Sequence, residues 1–179
     1  MIAAFVQSSL IRLIPVGMLL LAIQRTVFVE IKISGVIVQL VLAFAAAAGA
    51  SGGSERGAVA GFVLGAMVDL TQGTPLGSTA IAFTIAGVVA GLLALVAADP
   101  QWWLQAIFVG LGCAAGETMQ SVVRLFIGEE HPWPANMGKV LFIVTVSGAL
   151  LSPLLIPLSR WCLRIRGAEW TAPTEQPPV

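Results

Sequence analysis

Charge is scarce in this chain of 179 residues: 10% of it is Asp, Glu, Lys or Arg, against about 25% in soluble domains. That shortage excludes an ordinary soluble globule. Nine basic residues balance nine acidic ones, so no long-range field is available and nucleic-acid binding is excluded. Histidine occurs once and cysteine twice. Cys113 sits inside an apolar run and Cys162 beside a basic cluster, without metal-ligand spacing or a disulfide framework, so both read as free thiols. His131 follows two acids in a Pro-rich loop with no second His or Cys nearby, so no metal site is expected. No Ser-His-Asp set, phosphate loop or zinc motif is present, and neither a catalytic residue nor a cofactor is expected.

What the chain has is apolar sequence, 58% of its residues. A membrane helix needs about 20 such residues to cross a core of roughly 30 Å. Six runs are expected to cross, over residues 10–28, 33–50, 57–71, 76–98, 103–127 and 136–161, which leaves no room for a soluble catalytic domain. The fold class is therefore an all-α membrane bundle of six helices spanning 1–166. The first run lacks a basic lead and a small-residue cleavage site, so it reads as an uncleaved span. The second ends in the polar turn Ser51-Gly52-Gly53-Ser54-Glu55-Arg56. The third is short for a crossing and would tilt little or be shielded by neighbours. Asp99-Pro100 stops the fourth, and Trp102-Trp103 open the fifth at a membrane boundary. In the sixth, Pro153 and Pro157 free carbonyls that bundle neighbours would have to satisfy.

Six crossings put both termini on one side, and Arg160, Arg164 and Arg166 past the last span place that side in the cytoplasm. Residues 167–179, with Pro173, Pro177 and Pro178, are expected to form a disordered cytoplasmic tail.

Two constellations stand out. Gly57, Gly61, Gly65 and Asp69 recur every four residues and share one helix stripe, where small residues admit close approach of another helix. That helix belongs to the same bundle or to a partner protein, and Gly87 and Gly91 repeat the spacing in the fourth run. Asp69 precedes the turn Gly73-Thr74-Pro75-Leu76-Gly77, whose Ser78 or Thr79 is placed to cap the next helix, so that acid and turn fix one another. In the fifth run Glu117, Gln120, Ser121 and Arg124 fall on one face. Charges are costly in lipid, so this face is expected to point into protein or a polar cavity. Glu117 and Arg124, two turns apart, would be bridged through Gln120 or Asp69.

The stretch from Gly61-Phe62 through Gly65 and Asp69 to Pro75-Leu76-Gly77 resembles the bacterial rod shape-determining protein MreD family. Chain length, the Leu21-Ala22-Ile23-Gln24 end of the first span, and Gly87 with Gly91 extend the resemblance. Family members often carry Pro-Asp before the second span, where this chain has Ser34-Gly35. The resemblance implies a non-catalytic inner-membrane component of the cell-elongation machinery. It would bind an MreC-like bitopic protein and link to MreB and to the RodA synthase with its transpeptidase in peptidoglycan synthesis. It implies packing or partner-contact roles for Gly57, Gly61, Phe62, Gly65, Asp69, Gly73, Pro75 and Gly77.

The family's fold also looks like that of the substrate-binding membrane subunit of energy-coupling factor vitamin transporters. The alternative function is such a subunit, with Glu117, Gln120 and Arg124 lining an outer cavity. Such subunits usually surround the ligand with aromatic residues and loop lids. The absence of tyrosine and the short outer loops favour the scaffold.

Overall fold

The computed structural model describes residues 9–28, 32–33, 36–96, 101–129, 133–134 and 136–163. Ser34-Gly35, Asp99-Pro100, His131, Arg164, Arg166 and the tail 167–179 lie outside the described residues. Six α-helices occupy them: α1 Ser9–Ile23, α2 Leu40–Gly52, α3 Ser54–Gln72, α4 Ser78–Val96, α5 Trp102–Ile127 and α6 Met137–Leu163. A π-helical turn, Gln24–Phe28, continues α1, and two-residue strands Lys32–Ile33 and Val36–Ile37 pair antiparallel ahead of α2. Three helices, α4, α5 and α6, are long and apolar enough to cross a membrane.

The centre of the bundle is α2. Every residue from Leu40 to Ala50 is buried, which suits a helix that is apolar on all sides. It packs against α1, α3, α4, α5 and α6. Its alanines let those neighbours come close, and Phe44 and Leu42 fill the space between them. The helix starts at Leu40 and not near residue 33: β-branched Val36 and Ile37 take strand backbone there. Its 13 residues span about 20 Å, short of a crossing. The expected polar turn at 51–56 is likewise shorter than its composition indicated. Ser51 and Gly52 finish α2, Ser54 starts α3, and Gly53 alone separates them.

Alternate helices run in opposite directions, which sorts their ends. One end of the bundle gathers Arg12 and Trp161, whose guanidinium carbon and ring centroid are 5.2 Å apart, so the start of α1 and the end of α6 meet there. Ser51 and Ser159 hydroxyls join α2 to α6 at the same end, 2.8 Å apart. The opposite end gathers Gln24, Gln39, Gln72, Gln120 and Val140 around one cavity.

One freed carbonyl of α6 finds a nearer answer than bundle neighbours. Pro153 leaves the Ala149 carbonyl without its backbone donor, and the Ser152 hydroxyl of the same helix donates to that oxygen at 2.8 Å.

Candidate functional site: an acid-locked elbow beside a polar cleft

The α3–α4 elbow contains the glycine stripe and its acid. A Cβ placed on Gly57 would meet the Gly87 carbonyl, on Gly61 the Phe83 carbonyl, and on Gly65 the backbone of Ala80. The surface that receives the stripe is therefore α4 of the same chain. Gly87 and Gly91 complete it, since a Cβ at either would strike the start of α3 at Gly57 or Ser54. In an apolar solvent such contact replaces the hydrophobic drive that water would supply. Phe62 points away from this seam and is exposed.

Asp69 is 1% exposed, and its carboxylate caps α4 from the preceding helix. Oδ2 accepts from the Gly77 amide at 2.9 Å and the Ala80 amide at 3.3 Å. The Thr79 amide reaches both oxygens, at 3.1 and 3.2 Å. Oδ1 also takes the hydroxyls of Thr74 at 2.9 Å and Ser78 at 3.2 Å. The orphan amides at a helix start, together with its dipole, favour an anion there. Capping is thus done by Asp69, while the Ser78 and Thr74 hydroxyls donate to the acid. Two glycines make the geometry possible: Gly73 at φ 66° ends α3 in the left-handed conformation, and Gly77 at φ 101° turns its amide into the carboxylate. Pro75 and Leu76 stand exposed at the tip.

Beside the elbow, at the same end of the bundle, lies a cleft. One cavity of about 450 Å³ is lined by Gln24, Gln39, Gln72, Glu117, Gln120 and Arg124 over a floor of Val68, Thr79 and Phe83. A second hollow of about 470 Å³ continues it between the elbow residues Thr74, Ser78 and Thr79 and the end of α5 at Gln120, Arg124 and Glu129. Both volumes fall in the range of about 300–1,000 Å³ usual for small-molecule sites.

Glu117 is 8% exposed and accepts from Gln39 Nε2 at 2.6 Å through Oε2. No donor to its Oε1 occurs among the described residues. The side-chain oxygen of Gln120 is shut from water and has no partner among the described residues. Gln24 reaches from the π turn to accept the Val41 amide at 2.9 Å, which caps α2 from another helix just as Asp69 caps α4.

The shared face predicted on α5 divides. Glu117 and Ser121 are buried, Gln120 is half-buried, and Arg124 is exposed. Arg124 makes no bridge to Glu117 or Asp69; its Nε lies 3.8 Å from Glu129 Oε2, with both side chains about half exposed. The reason is position: Arg124 sits in the last turn of α5, where a long side chain reaches water and the acid beyond Gly128. The Ser121 hydroxyl donates to the Glu117 carbonyl at 3.4 Å and approaches Met137 Sδ at 3.9 Å. Its contacts are thus with its own helix and α6. Gln24 and Gln39 are cleft residues that reading by helix face missed. Their signal was available: isolated amides at the edges of otherwise apolar runs.

No family model, curated protein or solved structure matches the chain.

Proposed function

We propose that the chain is a multi-pass protein of the bacterial cytoplasmic membrane and a non-catalytic scaffold of the cell-elongation machinery, of the MreD kind. The observation that carries this reading is the state of Asp69. The residues behind the resemblance, from Gly61 to Gly77, form one closed elbow whose acid has its hydrogen-bonding capacity taken up by the chain itself. Such a motif holds two helices at a fixed angle and has no group left for chemistry, as an assembly platform requires. All six helices belong to the bundle in the membrane, with the shorter α2 shielded by the others. The outward faces of α1 and α6 carry Met18, Leu19, Phe142, Leu150 and Leu154 exposed, an apolar girdle that lipid and a bitopic partner of the MreC type would cover. MreB and the RodA synthase with its transpeptidase complete the assembly.

The end bearing Arg12, Arg56 and Arg160 faces the cytoplasm by the bias of basic residues. Cysteines introduced at Glu55 and Glu129, after replacement of Cys113 and Cys162, test this arrangement. Labelling from opposite sides of the membrane is expected, and labelling of both from one side contradicts it.

Gentle solubilisation of a tagged chain tests the role itself. Capture of an MreC-like protein is the expected result. Capture of transporter ATPase subunits instead would favour the substrate-binding subunit of an energy-coupling factor transporter, a second reading supported by the polar cleft.

A further inference from the structure

The cleft contains groups that the elbow and the bundle do not use. A carboxylate accepts several hydrogen bonds, yet buried Glu117 takes one, from Gln39. The Gln120 oxygen, on the same helix face, takes none. The Gln120 oxygen, shut from water, carries a desolvation cost that a donor from a ligand would relieve, and Glu117, on the cavity wall, has accepting capacity left. The terminal torsion of a glutamine is broad and roughly two-fold, so a half-turn of the Gln120 amide exchanges its nitrogen and oxygen and brings the oxygen to the cavity it lines.

Arg124 supplies the other half. It lies seven residues after Glu117, about 10.5 Å along the helix axis, and lines both hollows. Its ion pair with Glu129 is long and solvent-exposed, and such pairs are weak and exchangeable. A plain cation in the cleft meets Arg124, and a plain anion meets Glu117. A group bearing both charges satisfies both walls, with the guanidinium forked onto the anion.

The kind of cation is also set. Quaternary ammonium groups are held by aromatic cages, and Phe83 is the sole aromatic among the described lining residues. The acceptors present are oxygens, which need N–H donors.

We propose that this cleft binds an amphoteric group, a primary ammonium with a nearby phosphate or carboxylate, through Glu117 and Gln120 on the ammonium and Arg124 on the anion. A free solute and an ethanolamine phospholipid headgroup present the same chemistry. The proposal rests on the cleft alone, not on the assembly role, so failure of partner capture leaves it standing and its own failure leaves the scaffold standing.

The test uses the full chain in detergent with phosphoethanolamine and phosphocholine as probes, titrated calorimetrically, and the same chain in nanodiscs of phosphatidylethanolamine or phosphatidylcholine. Phosphoethanolamine is expected to bind at least about tenfold more tightly than phosphocholine, a preference set by N–H donors to unpaired acceptors. Glu117→Gln and Arg124→Gln should each weaken it by about tenfold or more, whereas Arg160→Gln at the opposite end should not. If Glu117→Gln fails to fold, Gln120→Leu and Arg124→Gln carry the comparison. Binding of the free probe identifies a soluble ligand. Stabilisation by phosphatidylethanolamine alone, abolished by Arg124→Gln, identifies the headgroup. Equal affinity for phosphocholine, or no binding and no lipid preference in folded protein, overturns the proposal.

Discussion

Asp69 and Glu117 are both buried carboxylates, 1% and 8% exposed, yet the first accepts from five groups and the second from one. The difference comes from where each helix ends. Asp69 sits in the last turn of α3, so the tight turn at Gly73 and Gly77 brings the free amides of α4 directly onto it. Glu117 sits mid-helix in α5, where backbone amides are already used within the helix, and only a side chain from another segment can reach it. An acid beside a helix start becomes architecture. An acid on the wall of a helix keeps capacity for something outside the chain.

The strongest way to break this contrast is to remove the elbow acid. Asp69→Ala removes the acceptor of three amides and two half-buried hydroxyls, and the loss should reach about 3 kcal/mol, from a lost cap plus several unsatisfied donors. Recovery of folded, monodisperse protein on size exclusion reads it out. Next in size is the seam: Gly65→Leu forces side-chain atoms into the Ala80 backbone, at a cost of about 3 kcal/mol from overpacking, measured as a lowered melting temperature. Glu117→Gln keeps the shape of the side chain and its Gln39 neighbour, so a change within about 1.5 kcal/mol is expected. Because Glu117 and Arg124 share no contact, the double change Glu117→Gln with Arg124→Gln should be additive within about 0.5 kcal/mol. A coupling well above that would restore the buried pair that the helix face alone suggests. Smallest is Arg12→Ala, which removes a half-exposed cation–π contact with Trp161 worth about 0.5–1 kcal/mol.

The elbow was legible because everything in it is local. Glycines four apart, an acid one turn later and a Gly-Thr-Pro-Leu-Gly turn are near neighbours in sequence, and helix geometry converts that spacing into one stripe. The ends of α5 and α6 were also readable, since apolar runs bounded by Trp102, Gly128 and Asn136 leave little choice. The start of α2 was not. Hydropathy over 33–50 does not separate a strand-like segment from a helix, and only the β-branched residues Ile33, Val36 and Ile37 mark the difference.

The cleft was half legible. Glu117, Gln120 and Arg124 were visible as one face of α5, but a shared face does not say how far a long side chain travels. Arg124 lies close enough to the helix end to turn outward. Gln24 and Gln39 were hidden for a different reason: their partners, Val41 and Glu117, lie 17 and 78 residues away, and only the folded bundle brings the second pair together.

The most direct measurement compares the melting temperatures of Asp69→Asn and Glu117→Gln in one detergent. Each is a near-isosteric change that removes one carboxylate's charge. With about 2–4 °C per kcal/mol for a chain of this size, Asp69→Asn should melt lower by several degrees more than Glu117→Gln, which should stay close to the parent. Equal losses, or a larger loss at Glu117, would contradict the division between a sealed elbow and an open cleft.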